Sequence, residues 1–253
     1  MRRSHSLLAT LLAAGTSLAV LAATTSASAQ DRNRDRNRFA SPQHFALELR
    51  FAPYRANVDD EPGLNGKTPY RDTFGDDYRL QVGIEFDWQI FRVPYLGTVG
   101  AGVGVGYTGM SAKAKLTGTN TDSAEDTTLQ IFPMYAVAVL RADVLSRNLH
   151  IPLVPYAKAG LGYAPWRAYG PNGTARTADS VGKGQSFGTH LALGIALQLD
   201  VFDQAAARDI DEAVGINHSY LWAEYFMSNL NNFGGSALRV GANTFAFGLA
   251  FEF

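Results

Sequence analysis

The sequence predicts an all-β protein, an eight-stranded antiparallel β-barrel that crosses a membrane, with a short periplasmic helix between strands 6 and 7. Three observations predict it. Residues 78–90 alternate without a break: Tyr78, Leu80, Val82, Ile84, Phe86, Trp88 and Ile90 take one face, while Arg79, Gln81, Gly83, Glu85, Asp87 and Gln89 take the other. The run is long enough to cross a bilayer at barrel tilt, whereas strands of soluble proteins average about 5–6 residues. The chain ends on Phe245, Phe247, Leu249, Phe251 and Phe253 on one face, with Ala246, Gly248, Ala250 and Glu252 on the other. Large aromatics opposite small or charged residues suit a wall between lipid and a narrow polar interior. Finally, eight such segments can be counted, and an even number closes an antiparallel barrel with both of its ends on one side.

The first strand carries Phe45, Leu47, Leu49 and Phe51 outward against Ala46, Glu48 and Arg50. Residues 78–90 form the second. In the third, Val99, Ala101, Val103, Val105 and Tyr107 alternate with Gly100, Gly102, Gly104 and Gly106. These glycines lie within a strand and not between a strand and a helix, so they do not form a phosphate loop; they make room for bulky or charged neighbours across the lumen. The fourth strand is placed near 128–143 and the fifth near 153–166. The sixth sets Phe187, Leu191, Leu193, Ile195, Leu197 and Leu199 outward against Gly188, His190, Gly194 and Asp200. The seventh lies near 219–227.

Segments 52–77, 110–127, 167–185 and 228–243 are long and polar, and those around 91–95 and 146–152 are short. Long loops outside and short turns inside is the outer-membrane arrangement. Between Asp203 and Val214, Phe202, Ala206, Ile210 and Ala213 recur at helical spacing and Gly215 supplies a stop, which predicts an amphipathic helix beneath the periplasmic mouth.

Three domains follow. Residues 1–29 read as an export signal: Met1-Arg2-Arg3, an apolar stretch from Leu7 to Ala23, then Ala27-Ser28-Ala29. The general secretory route fits, since a barrel is exported unfolded. Residues 30–42 contain the charged repeat Asp31-Arg32-Asn33-Arg34-Asp35-Arg36-Asn37-Arg38, too polar to bury a core, and read as a disordered periplasmic tail. Residues 43–253 form the barrel.

Composition excludes several functions. A net charge of −1 gives no support for a nucleic-acid partner. The absence of cysteine removes thiolate metal sites, cysteine nucleophiles and disulfides. Asp59, Asp60, Glu61, Asp72, Asp76 and Asp77, and further on Asp122, Glu125 and Asp126, lack the ligand spacing of a dedicated calcium loop and read as a solvated acidic surface, so neither a metal nor another cofactor is expected. His218, Ser219 and Glu224 resemble the residue types of outer-membrane lipid A deacylases. Here, however, His and Ser are adjacent and face opposite sides of a strand, and no catalytic residues are expected.

The inward charges are the candidate site. A lumen ion network is expected from Glu48, Arg50, Arg79, Glu85, Asp87, Lys158, His190 and Glu224. Two readings stand: a zipped polar core that keeps the barrel shut, or a gated ion path through the same residues. An eight-stranded barrel has an interior that side chains fill, and buried charges must pair, which favours the first.

Taken together, the signal, the eight alternating segments and the terminal Phe253 resemble the small OmpA/OmpX/OmpW-like outer-membrane barrels of Gram-negative bacteria, over about residues 43–253. The stretch Gly215-Ile216-Asn217-His218-Ser219-Tyr220-Leu221-Trp222-Ala223-Glu224 is similar to that of other members. The resemblance implies a location in the cell outer membrane and contact with its lipids and lipopolysaccharide. It also implies a monomer, and an assembly signal in Leu249, Phe251 and Phe253 read by the barrel-assembly machinery. Two functions follow. One is a non-enzymatic structural or surface-interaction barrel with long outer loops and a closed, charge-paired lumen. The alternative is a narrow OmpW-like transporter for small or apolar molecules, which an apolar upper lumen would favour.

Overall fold

The structure, a computed structural model, describes residues 44–253 apart from 116–121, 150, 171–172, 176–180, 203 and 236–237. The signal at 1–29 and the tail at 30–42 lie outside the described residues. The strands are β1 (Phe45–Tyr54), β2 (Arg79–Val93), β3 (Gly97–Lys115), β4 in two segments (Asp122–Ile131 and Met134–Arg141), β5 (Leu153–Gly170), β6 (Lys183–Gln198), β7 (His218–Asn229) and β8 (Ala242–Glu252). Each pairs antiparallel with its neighbours in sequence, and β1 pairs with β8 through Ala46↔Glu252 to Phe51↔Phe247, which closes the ring. A two-residue strand, Gly173–Thr174, extends the β5 edge.

The break in β4 is a matter of one missing donor. Pro133 has no N–H, yet the register runs on from Thr108↔Ile131 to Val105↔Met134, and Gly106 N–H still donates to Pro133 O at 2.7 Å.

Exposure is inverted relative to a soluble protein. Leu193 is 68% exposed, Leu161 62% and Val103 58%, whereas Glu48, Glu85 and Asp87 are each 1% exposed and Lys158 is 2%. An outer wall of exposed apolar side chains around a core of buried charges is the pattern of a barrel whose solvent on the outside is lipid. Small residues set the width inside. A methyl on Gly104 would overlap the ring of Tyr135, and one on Gly194 that of Tyr156; each glycine is the direct cross-strand partner of its tyrosine and leaves room for that ring to lie along the inner wall.

The connections differ from expectation in two ways. β3 and β4 run well past the apolar belt as a polar hairpin, with Lys113–Asp126 paired at 2.8 Å and Ser111 Oγ 2.8 Å from Thr128 Oγ1, so much of segment 110–127 is strand. Backbone pairing there needs no apolar face, and alternation gives no sign of it. The short turn after β4 contains a helix, α2 (Val144–Leu149), and the first long connection contains another, α1 (Pro69–Phe74). The expected helix between β6 and β7 is present as α3 (Gln204–Val214).

The long loops fold back over the lumen. Val58 and Tyr70 from the first connection pack with Leu230 and Val240 from the last, above Met110, Leu129, Ile131 and Ala164 from the wall. Asp59 accepts the backbone N–H groups of Tyr70 and Arg71 at 2.8 and 3.0 Å, fixing the start of α1. Tyr54 Oη donates to Val240 O, Ser186 Oγ donates to Leu238 O at 2.6 Å, and Arg239 Nε meets Glu61 Oε2 at 3.0 Å. The result is a largely apolar cap tied at its edges by polar contacts.

Candidate functional site

Strand parity sends one residue in two into the lumen, and on six strands those residues include the charges. β1 supplies Glu48 and Arg50, β2 Glu85 and Asp87, β4 Arg141, β5 Lys158, β7 Glu224 and β8 Glu252. Arg50 reaches Glu85 at 2.8 Å, Glu48 at 3.2 Å, and also Glu224. Lys158 lies 2.7 Å from Glu48, 2.8 Å from Glu85 and 3.6 Å from Glu224. Arg141 lies 2.7 Å from Glu48, 2.8 Å from Asp87 and 3.4 Å from Glu252. Glu48 is the hub, since it alone meets all three cations.

Neutral donors complete the carboxylates. Tyr135 Oη donates to Glu85 at 2.6 Å, Tyr156 Oη to Glu224 at 3.0 Å, and Tyr220 Oη and Gln89 Nε2 to Glu252, both at 2.9 Å. The guanidinium of Arg50 sits 4.8 Å from the centre of the fully buried Trp222 ring, and the Lys158 ammonium 5.0 Å from that of Tyr156. Aromatic faces thus cover the cations on the sides that the carboxylates leave open. Pairing of this kind is what allows so many charges to remain buried.

Six of the eight expected residues come together: Glu48, Arg50, Glu85, Asp87, Lys158 and Glu224. Two do not join the ion pairs. Arg79 faces inward but stands at the loop end of β2, where its guanidinium reaches Phe74 O at 3.5 Å. Parity gives the face of a residue and says nothing of its depth. His190 is buried beside the network, stacked on Tyr135 with ring centres 4.1 Å apart, and among the described residues neither of its ring nitrogens has a hydrogen-bond partner. With Arg50, Gln81, Ser228 and Phe226 it lines a small hollow of about 20 Å³, room for a water or two, between the ion network and the loop cap.

Arg141 was not foreseen. Around it Val137, Val139 and Leu140 make β4 apolar on both faces, and only the pairing Thr98↔Arg141 at the turn end reveals its direction. The inward tyrosines and Trp222 were missed as well, because a narrow lumen was expected to hold small or charged groups. Glu48, Glu85 and Asp87 lie close enough to share a cation, but Arg50, Lys158 and Arg141 already occupy the space around them.

At the turn end, Asp200 meets His218 Nδ1 at 2.5 Å and accepts the Ser219 backbone N–H at 3.0 Å. Partial burial pushes the Asp200 carboxyl up, but hydrogen bonds from His218, Gln198 and Ser219 outweigh it and hold the group below the usual carboxylate range. His218 is thus tied into the turn next to α3, and Ser219 contributes its backbone, not a nucleophile, to that contact.

No protein-family model and no curated protein matches this chain. Among solved structures it is similar to Ail, the attachment invasion locus protein of Yersinia pestis, at 10% identity over 83% of this chain and 97% of that one, with a TM-score of 0.39. It is also similar to the N-terminal β-barrel domain of Pseudomonas aeruginosa OprF, at 12% identity over 84% of this chain and all (100%) of that one, with a TM-score of 0.37.

Proposed function

We propose that this protein is a non-enzymatic barrel of the Gram-negative outer membrane whose lumen is shut and whose working surface is its set of outer loops. The observation that carries the reading is the lumen itself. Three cations and five carboxylates interlock across six strands, and an apolar cap of loop side chains closes the barrel above them. The loops then present Asp60, Asp72, Asp76 and Asp77 to the outside, next to lipopolysaccharide or another surface. The export signal and the exposed apolar wall support the outer-membrane location and the lipid partners, and the closed ring of eight strands supports a monomer.

Conductance in planar bilayers tests the closed lumen. Purified protein should show no steady ion current, and neutralising Glu48 and Lys158 together by Glu48→Gln and Lys158→Met, which keep the side-chain lengths, should not create one. A stable, cation-selective current from the unaltered protein would overturn the reading.

One observation favours narrow transport instead: the upper lumen is apolar, the feature named above as its mark. It is, however, filled by Val58, Tyr70, Leu230 and Val240 from the loops, and the hollow beside His190 ends on the ion network. A filled apolar layer closes the barrel rather than conducting through it.

The terminal residue belongs to the same proposal. Phe253 exchanges backbone hydrogen bonds with Phe45, both 3.0 Å, and its ring lies 6.1 Å from that of Phe45 and 6.5 Å from that of Phe86, so it sits on the closing seam. Leu249 and Phe251 continue the same outward row. We expect deletion of Phe253 to reduce insertion in cells, where the assembly machinery must read it, far more than it reduces folding of the purified chain into lipid. Equal losses in the two assays would assign the residue to packing alone.

A further inference from the structure

The lipid-facing wall does not stop where β6 ends. The outward row Leu191, Leu193, Ile195 passes through Leu197 and Leu199 into Val201 and Phe202, which are 47% and 71% exposed. α3 follows directly. At 100° per residue, Ala207, Ile210 and Val214 fall within one narrow stripe, and Asp209 and Glu212 fall on the opposite side. Ile210 is 41% exposed and Val214 67%, and among the described residues of α3 no side chain is buried. The stripe is therefore not packed on the barrel mouth, where a plug would bury it. A water-exposed apolar face that begins at the edge of the belt calls for a partner of the same kind as the belt's.

We infer that α3, with Val201 and Phe202 before it, lies in the headgroup region of the leaflet at the turn end, with Ile210 and Val214 reaching into the acyl boundary of zwitterionic phospholipid. This rests on the membrane reading proposed above. Low overall hydrophobicity combined with a sharply divided apolar face is the signature of a helix lying in an interface rather than spanning it. The charged face sets the lipid class. Asp209 and Glu212 on that face, with Asp211 at the margin of the stripe, outnumber the one arginine in the sequence of α3, so anionic headgroups would repel the helix and zwitterionic ones would not. The contact holds the long β6–β7 connection against the membrane.

The natural chain has no cysteine, so single labels are unambiguous. An environment-sensitive fluorophore is placed on Val214→Cys, Ile210→Cys, Glu212→Cys and Leu193→Cys of the full chain. Each variant is folded into phosphatidylcholine vesicles containing nitroxide-labelled lipid. The labels on Val214→Cys and Ile210→Cys should be quenched about threefold more than that on Glu212→Cys, approaching the label on Leu193→Cys in the belt. If the Leu193→Cys label is quenched while the Val214→Cys and Ile210→Cys labels match Glu212→Cys, the helix lies in water or on protein, and this inference fails with the barrel reading intact. If the Leu193→Cys label is not quenched, the barrel is not in the bilayer and both fail.

Discussion

Replacing Lys158 by Met should cost roughly 3–5 kcal/mol of folding stability, read as a shifted midpoint when the protein is unfolded with urea from bilayers or micelles. Met keeps the length of the side chain, so the loss comes from charge and not from a cavity. The Lys158 ammonium lies within 2.8 Å of both Glu48 and Glu85, and 3.6 Å from Glu224. Without it, Arg50 and Arg141 alone face five buried carboxylates. Adding Glu85→Gln should restore part of the loss, because it removes a charge that Lys158→Met leaves stranded. Glu224→Gln should restore less, since Arg50 holds both carboxylates but Glu224 is the more distant from Lys158. Glu48→Gln should help least, because Glu48 also pairs with Arg50 and Arg141, and removing it takes a partner from both. Strict additivity in all three double mutants would mean that Lys158 is solvated, and an open water path would replace the closed lumen.

That network was legible in the sequence to the extent that strands alternate cleanly. On β1 and β2 the apolar rows fix which face is the wall, so Glu48, Arg50, Glu85 and Asp87 are assigned inward from parity; on β5 and β7, where Tyr156 and Trp222 also point inward, Lys158 and Glu224 are marked by their charge. Depth was not legible. Arg79 has the right parity but sits too high, because strand tilt and stagger set the height at which residues of different strands meet. On β4 the alternation itself fails: with apolar residues on both faces, Arg141 carries no period-two signal. The cap was hidden for another reason. Val58 and Tyr70 are isolated apolar residues in a polar connection, and only the fold brings them onto Leu230 and Val240. The lumen aromatics depend on pairs of positions, Gly104 with Tyr135 and Gly194 with Tyr156, and no single strand contains that information.

The outer wall yields the other large effect. Val103→Arg should destabilise the barrel by roughly 2–4 kcal/mol, the cost of an arginine facing lipid near the midplane. Val103 stands on the outward row of β3, opposite Phe86 on β2 and Ala136 on β4, and is 58% exposed. In water such a surface site would accept arginine at almost no cost, so the penalty reports the solvent outside the wall. Ser111 lies on the same outward row of the same strand, eight residues nearer the loops and beyond the apolar belt. Ser111→Arg should cost only about 0–1 kcal/mol, because charges near the interface reach water. The two variants place the same side chain on the same face of one strand, and the terms in which Val103 and Ser111 differ add about 1 kcal/mol at most to the cost at 103, so a gap beyond that reports depth. A conservative Val105→Leu should leave stability close to that of the natural protein. If the two arginines cost the same, no apolar slab surrounds the barrel, and a soluble barrel with an unusually apolar exterior would be the better description.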